Sequence, residues 1–330
     1  METNAWISWV LASLALIVAE LAYFKIADRL NVIDKPNERS SHTNPIIRGG
    51  GVIFLFGVLI WFFQSDLQWP WFVLGVMLIA MISFIDDVTS LHPLIRFLFH
   101  LTAVLLIFFQ LWPLPWPAYL LLAAVIVCIG TLNAFNFMDG INGITGVYAL
   151  VTLISFACID RWVVQFTSTD LLALVVASVL IFLFFNFRKA ALCFAGDVGS
   201  VTIAFILIFI LLQLIRTTGN FLWPLFFLVH GTDSIVTIIY RLRRKENIFK
   251  AHRTHLYQYL SNEMKVPHLA VSSIYGIVQA MINAAVAVSL MQLNYALPLL
   301  ITIGFVSIYL FVRVRVVSKI ERRKTKMLKY

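Results

Sequence analysis

The chain has 330 residues, 61% of them hydrophobic and only 12% charged, with a mean hydropathy of +0.91 and a formal net charge of +9. A soluble domain is about half apolar and a quarter charged, so this composition excludes one and defines a polytopic membrane protein. The basic excess lies mostly beside apolar segments, where attraction to anionic membrane lipids accounts for it; no nucleic-acid partner is expected.

About eleven segments are long enough to cross a hydrocarbon layer of roughly 30 Å: 5–24, 50–64, 69–85, 94–112, 115–133, 143–159, 171–186, 199–215, 220–240, 269–291 and 295–316. The second and sixth are short. Backbone groups find no water inside a bilayer, so each segment is expected to be a helix and the fold all-α. The first lacks a basic n-region and is too long for a signal sequence, which makes it a retained helix. With that helix running inward, every Lys and Arg except Arg161 and Arg216 falls on one side, which predicts a periplasmic N-terminus and a cytoplasmic C-terminus. No internal repeat or low-complexity linker breaks the chain, so 1–330 reads as one integral-membrane domain with a basic cytoplasmic tail at about 317–330. Cys128, Cys158 and Cys193 form neither a disulfide framework nor a zinc pattern and read as packing residues.

The polar residues gather in the five inner loops. The first runs from Asp34 and Lys35 to Arg48 and three consecutive glycines, Gly49, Gly50 and Gly51. Such glycines at a helix start either let backbone N–H groups approach an anion or let helices pack closely. The second ends a helix with Asp86 and Asp87, adjacent carboxylates that need a cation, a shared proton or solvent. In the third, Asn133, Asn136, Asp139 and Asn142 recur at every third position, which on a helix keeps them along one drifting face. Amides and a carboxylate so placed can read a nucleobase or sugar and hold a metal.

The fourth loop places Asp197 between Gly196 and Gly199 at a helix start. Asp197 either caps that helix or ligates magnesium, a hard cation that takes oxygen donors and stays partly hydrated until phosphate completes its shell. The fifth carries Asp233 inside the ninth segment, with pairing to Arg241 two turns on as the structural alternative to a functional role, then His252, Arg253 and His255, donors suited to a pyrophosphate. An intramembrane Asp is functional by default.

The ordered set of a glycine-rich second helix, FIDD, NAFNFMDGINGITG, FAGDVGS and HRTHLYQ resembles the polyprenyl-phosphate N-acetylhexosamine-1-phosphate transferases, the family of the MraY, WecA and WbpL types, over nearly the whole chain. The resemblance implies a bacterial inner-membrane enzyme with its active site on the cytoplasmic face. It would move the sugar 1-phosphate of a UDP-N-acetylhexosamine (GlcNAc, QuiNAc or FucNAc type) to undecaprenyl phosphate, release UMP and so begin a lipid-linked surface glycan. Mg2+, with Mn2+ as a substitute, is the implied cofactor, and a homodimer is left open. Carried over, Asp86 and Asp87 match the acidic pair, Asp197 and Asp139 the metal ligands, and Asn136 with Asp139 the nucleotide-contacting and catalytic run. Lys35, Arg48, Asn133, Asn142, Asp233, His252, Arg253 and His255 complete the substrate-binding set.

Two departures bear on the donor. Asn142 stands where many members have a second aspartate, and the late motif reads His252-Arg253-Thr254-His255 in place of a triple-His pattern. The second departure counts against a MurNAc-pentapeptide donor and places the chain nearer the WecA and WbpL branch. A cation-coupled transporter, the competing class, would use Asp233 and Glu20 but should hold its polar residues at the bilayer midplane, not at one boundary.

Overall fold

A computed structural model describes residues 5–34, 45–247 and 252–327. Twelve helices account for nearly all of it: α1 (Ala5–Arg29), α2 (Ile53–Gln64), α3 (Pro70–Thr89), α4 (Pro93–Gln110), α5 (Ala118–Met138), α6 (Ile144–Trp162), α7 (Thr169–Asn186), α8 (Gly196–Thr218), α9 (Leu228–Arg243), the single turn α10 (Leu256–Gln258), α11 (His268–Met291) and α12 (Ala296–Met327). Ten helical segments are long and apolar enough to cross a membrane, and the segment Gly50–Gln64 is a shorter apolar helix. The all-α expectation with about eleven spans therefore holds. The sixth segment is longer than expected, at 19 residues, while the second is indeed the short one.

Local sequence sets several boundaries. Pro70 and Pro93 open α3 and α4, where a missing N–H costs nothing. Ser168 caps α7 by accepting from Leu171 N, and Gly219, at φ 68°, closes α8 in the left-handed region. The ninth span begins as a 3-10 stretch, Trp223–Phe227, and becomes α-helical at Leu228.

Helix α8 is the axis of the fold. Its most apolar stretch is buried all round, as expected of a helix with no polar face, and α2, α3, α5 and α6 pack around it. Phe72 of α3 stacks on Phe209 of α8 at 3.9 Å between ring centroids, and Gly75 makes room for the Phe205 ring. By contrast, α1, α5 and α12 leave most of their surface on the outside of the bundle, where a bilayer would cover it. At 32 residues α12 is about 48 Å long, more than a hydrocarbon layer requires, so the basic tail continues the last span as helix through Met327.

On the face that carries the polar motifs, α3 continues to Thr89, α5 to Met138, and α8 starts at Gly196, each beyond its expected end. Asp86, Asp87, Asn133, Asn136 and Asp197 thus lie in terminal helical turns, not in the loops between helices. The polar face does not extend to Asn142, because α5 stops at Met138 and the chain turns through Gly143 at φ 84° into α6.

A two-stranded antiparallel ribbon, β1 (Ile33–Asp34) and β2 (Ile46–Ile47), folds the first inner loop back. From its end, Phe194 N donates to Ile47 O (2.8 Å), Gly50 N to Phe194 O (2.9 Å) and Gly51 N to Ala195 O (3.2 Å). Two of the three glycine N–H groups are therefore spent on protein carbonyls. Close packing, the second of the two readings of this triplet, is what they serve: a Cβ on Gly51 would overlap the Gly199 Cα, and one on Gly199 would stand 2.6 Å from the Gly51 Cα. Gly51→Ala should cost about 1–3 kcal/mol or more through overpacking. Gly130→Ala, where an added Cβ meets nothing within 4 Å, should leave the protein as stable or more so. Tm measured in detergent distinguishes the pair; equal Tm values would contradict the glycine seam.

Candidate active site

The ends of α3, α5 and α7 and the starts of α2, α4, α6 and α8 share one face, as alternating spans require. Ala195, at the N-cap of α8, offers no side-chain acceptor. Asp87, from the last turns of α3, supplies it across the bundle: Asp197 N donates to Oδ1 and Val198 N to Oδ2, both at 3.0 Å. A carboxylate here satisfies two orphan donors and sits at the positive end of the helix dipole. The Asp87 side chain is fully buried and also receives Arg48 Nε at 2.7 Å. Its neighbour Asp86 accepts from Arg96 Nη1 at 2.7 Å and from Leu91 N. The adjacent carboxylates point to different arginines, which relieves the repulsion expected from their spacing.

Asp197 lies between those arginines. Arg48 Nη2 and Arg96 Nη1 each stand 3.5 Å from one of its oxygens, and it is more exposed than Asp86 or Asp87. Asn136 and Asp86 also come within hydrogen-bonding reach of it. Asp139, just past α5, accepts from Thr145 Oγ1 at 2.6 Å. Burial, with the nearby Asp197 charge adding to it, pushes the Asp139 carboxyl up to about 6. Four carboxylates thus face two guanidinium groups, an imbalance suited to a divalent cation. Among the described residues no three metal-ligating side chains converge. Mg2+ is commonly held by one or two carboxylates plus waters and substrate phosphate, so fewer than three protein ligands remain chemically compatible with it.

A second polar unit surrounds Asp233, which is fully buried. Its oxygens accept from Tyr275 Oη (2.6 Å), Leu256 N (3.1 Å), Tyr257 N (3.4 Å) and Thr237 Oγ1 (3.3 Å). His255 Nδ1 lies 3.1 Å from Asp233, His255 Nε2 3.1 Å from His252 Nε2, and His252 Nδ1 2.7 Å from Arg241 Nη1. Arg241 and Asp233 can only donate and accept respectively, so one neutral tautomer pair satisfies every link: Arg241 donates to His252, His252 to His255, and His255 to Asp233. Arg241 does not pair with Asp233, contrary to the structural alternative for that residue; it turns to Glu246 at 3.1 Å. Arg313 of α12, at 4.0 Å, is the nearer cation.

The two units meet at the α5–α6 turn. Tyr257 Oη donates to Phe137 O (2.9 Å), its ring fills the space a Cβ on Gly140 would need, and Phe137 packs against His252 and His255. Not every expected residue faces this junction. Asn133 is exposed and donates to Ile129 O of its own helix, while Asn142 is buried and donates to Arg188 O and Lys189 O. Arg253 is half-buried with no hydrogen-bond or ion-pair partner among the described residues, and Lys35 lies outside them. Arg96, Thr145, Tyr257, Tyr275 and Arg313 join the site without having been singled out from sequence. Only Thr145 and Tyr257, inside the third and late motifs, carried a local signal.

Beside this face lies a cavity of about 1000 Å3, almost wholly apolar, walled by α5, α8, α9 and α12. It reaches from Trp116 and Phe221 at one end to Arg243, Arg313 and Ser318 at the other, the full height of the bundle.

Fold and composition together define a multi-pass membrane protein with an acidic, arginine-lined cluster at one end of the bundle. The family profile described as "Glycosyl transferase family 4" matches residues 69–215. A probable undecaprenyl-phosphate N-acetylglucosaminyl 1-phosphate transferase of Bacillus subtilis (strain 168) is 25% identical over 276 residues, covering 77% of this chain and 76% of that protein. The undecaprenyl-phosphate alpha-N-acetylglucosaminyl 1-phosphate transferase of Escherichia coli (strain K12) is 28% identical over 283 residues, 76% and 75% of the two chains. The chain is thus similar to glycosyl transferase family 4 over its central segment and, over about three quarters of its length, to undecaprenyl-phosphate N-acetylglucosaminyl 1-phosphate transferases.

The geometry separates the aspartates by task. Asp87→Ala removes both acceptors at the α8 N-terminus and should cost about 2 kcal/mol, read as a Tm lower by a few degrees. Asp197→Ala, which loses two 3.5 Å ion pairs and side-chain contacts to Asn136 and Asp86 but no helix cap, should change Tm less. Equal losses would contradict the assignment of the cap to Asp87.

Proposed function

We propose that the protein transfers an N-acetylhexosamine 1-phosphate from a UDP-sugar to undecaprenyl phosphate, on the cytoplasmic face of a bacterial inner membrane. The observation that carries this reading is the adjacency, along α5 and α9, of the two environments the reactants need. The wall of α5 that includes Thr131 lines the apolar cavity, and its end at Asn136–Asp139 reaches the carboxylate cluster. A lipid-tailed acceptor and a water-soluble donor can meet there. The inner placement of Lys and Arg supports the cytoplasmic side.

An oxygen of the lipid phosphate attacks the β-phosphorus of the donor in line; the new P–O bond forms as the α–β anhydride bond breaks and UMP leaves. Mg2+ bound at Asp197 and Asp139 would neutralise charge on the pyrophosphate. Arg48 and Arg96, held by Asp87 and Asp86, would offer guanidinium donors to the entering phosphates once a divalent cation offsets the excess carboxylate charge. Phosphate, with a second pKa near 6, is largely dianionic at neutral pH, so orientation matters more than removal of a proton. Asp87, whose oxygens are committed to two backbone N–H groups and Arg48, acts by positioning. Arg253, half-buried beside the linked His252 and His255, offers its guanidinium to the diphosphate of the donor.

Purified protein given undecaprenyl phosphate and a panel of UDP-N-acetylhexosamines should release UMP only when lipid is present. EDTA should abolish the release and excess Mg2+ restore it. Asp197→Ala should lower the rate at least about a hundredfold, some 3 kcal/mol. UMP release independent of lipid, or an active Asp197→Ala protein, would overturn the reading.

A further inference from the structure

Arg313 is an anomaly on α12. That helix is among the least buried in the bundle, yet Arg313 is only 4% exposed. A guanidinium inside a span is costly unless its donors and charge are satisfied. Here Nη1 donates to Thr237 Oγ1 of α9 at 3.0 Å and to Tyr309 Oη of its own helix at 3.1 Å, and Nη2 donates to Thr254 O at 2.8 Å. The rings of Tyr240 and Tyr259 lie 5.3 and 5.8 Å from Cζ, and Asp233 Oδ1 is 4.0 Å away. One side chain therefore ties α12, α9 and the loop that carries His252 and His255.

The same side chain lines the inner end of the apolar cavity, next to Tyr240 and Arg243. Helix α9 is the wall between the two compartments. Asp233, Thr237 and Arg241, four residues apart, face the polar unit, while Leu228, Thr232, Ile235 and Ile239 face the cavity. Whatever fills the cavity sets the spacing of α9 and α12 at their inner ends. Arg313 is bonded to both helices and to the Thr254 carbonyl one residue before His255, so that spacing is passed to the histidine loop.

We propose that Arg313 is a positioning residue that makes transfer depend on the acceptor's polyprenyl chain, by coupling occupation of the α5–α8–α9–α12 cavity to the placement of the His252–His255 loop. This rests on the transferase reading. The occupant is a linear isoprenoid chain, argued from an almost wholly apolar wall that spans the height of the bundle.

The test compares kcat and KM for UMP release with undecaprenyl phosphate and with a short prenyl phosphate too small to fill the cavity. Wild-type protein should have the higher kcat with the long acceptor. Arg313→Gln should reduce the long-to-short kcat ratio at least tenfold, and Arg313→Lys, which keeps the charge but loses the planar fork, should recover part of it. Tyr309→Phe removes a single acceptor and keeps the ring; it should move the ratio in the same direction by less, and it serves if Arg313→Gln does not fold. A ratio unchanged in Arg313→Gln and Tyr309→Phe, or both acceptors slowed in equal proportion, would overturn the proposal and leave Arg313 a structural residue. A wild-type protein that releases UMP with neither acceptor would instead defeat the transferase reading itself.

Discussion

The Asp87 carboxylate is the joint on which the site depends. Helix α8 is the buried axis of the bundle, and its N-terminus arrives at the membrane boundary with backbone donors that no residue of its own loop can satisfy. Asp87 answers two of them from α3 and draws in Arg48 from the first inner loop. That arrangement orients Asp197, the next side chain along, toward Asn136 and the arginines. Without it, the third, fourth and first inner loops would have no common reference.

The same device recurs deeper in the protein. Asp233 accepts the first two N–H groups of the Leu256–Gln258 turn and the imidazole of His255, so a second buried aspartate docks a second polar segment. In both places an expensive buried charge is offset by several donors at once. The glycines serve this assembly. Gly51 and Gly199 let α8 and the first loop approach to backbone contact, and Gly140 leaves space for the Tyr257 hydroxyl that joins the histidine loop to α5.

Much of the fold was legible in the sequence because a bilayer leaves few alternatives: long apolar runs must be helices, and all eleven apolar segments appear near their expected places. Helix ends were less legible. A run such as Phe-Ile-Asp-Asp looks like an exit from the membrane, yet α3 continues past it because Arg48, Arg96 and the α8 N-terminus neutralise both carboxylates. The candidate site was legible as a set of motifs but not as a division of labour. Spacing cannot reveal that Asn133 turns back on its own helix, that Asn142 is spent on two carbonyls, or that Asp87 caps a helix 110 residues away. Arg313 was hidden for a related reason: an arginine near the cytoplasmic end of a last span ordinarily reads as an anchor to lipid headgroups, and only its partners on two other elements distinguish it.

The central claim, that two buried aspartates hold the polar segments of the site by their backbone N–H groups, is most directly tested by amide hydrogen exchange in wild type, Asp87→Asn and Asp233→Asn. Asp87→Asn should accelerate exchange at Asp197 and Val198 and leave Leu256 and Tyr257 protected, and Asp233→Asn should do the reverse. Exchange at these four amides that is unmoved by either substitution would contradict the account.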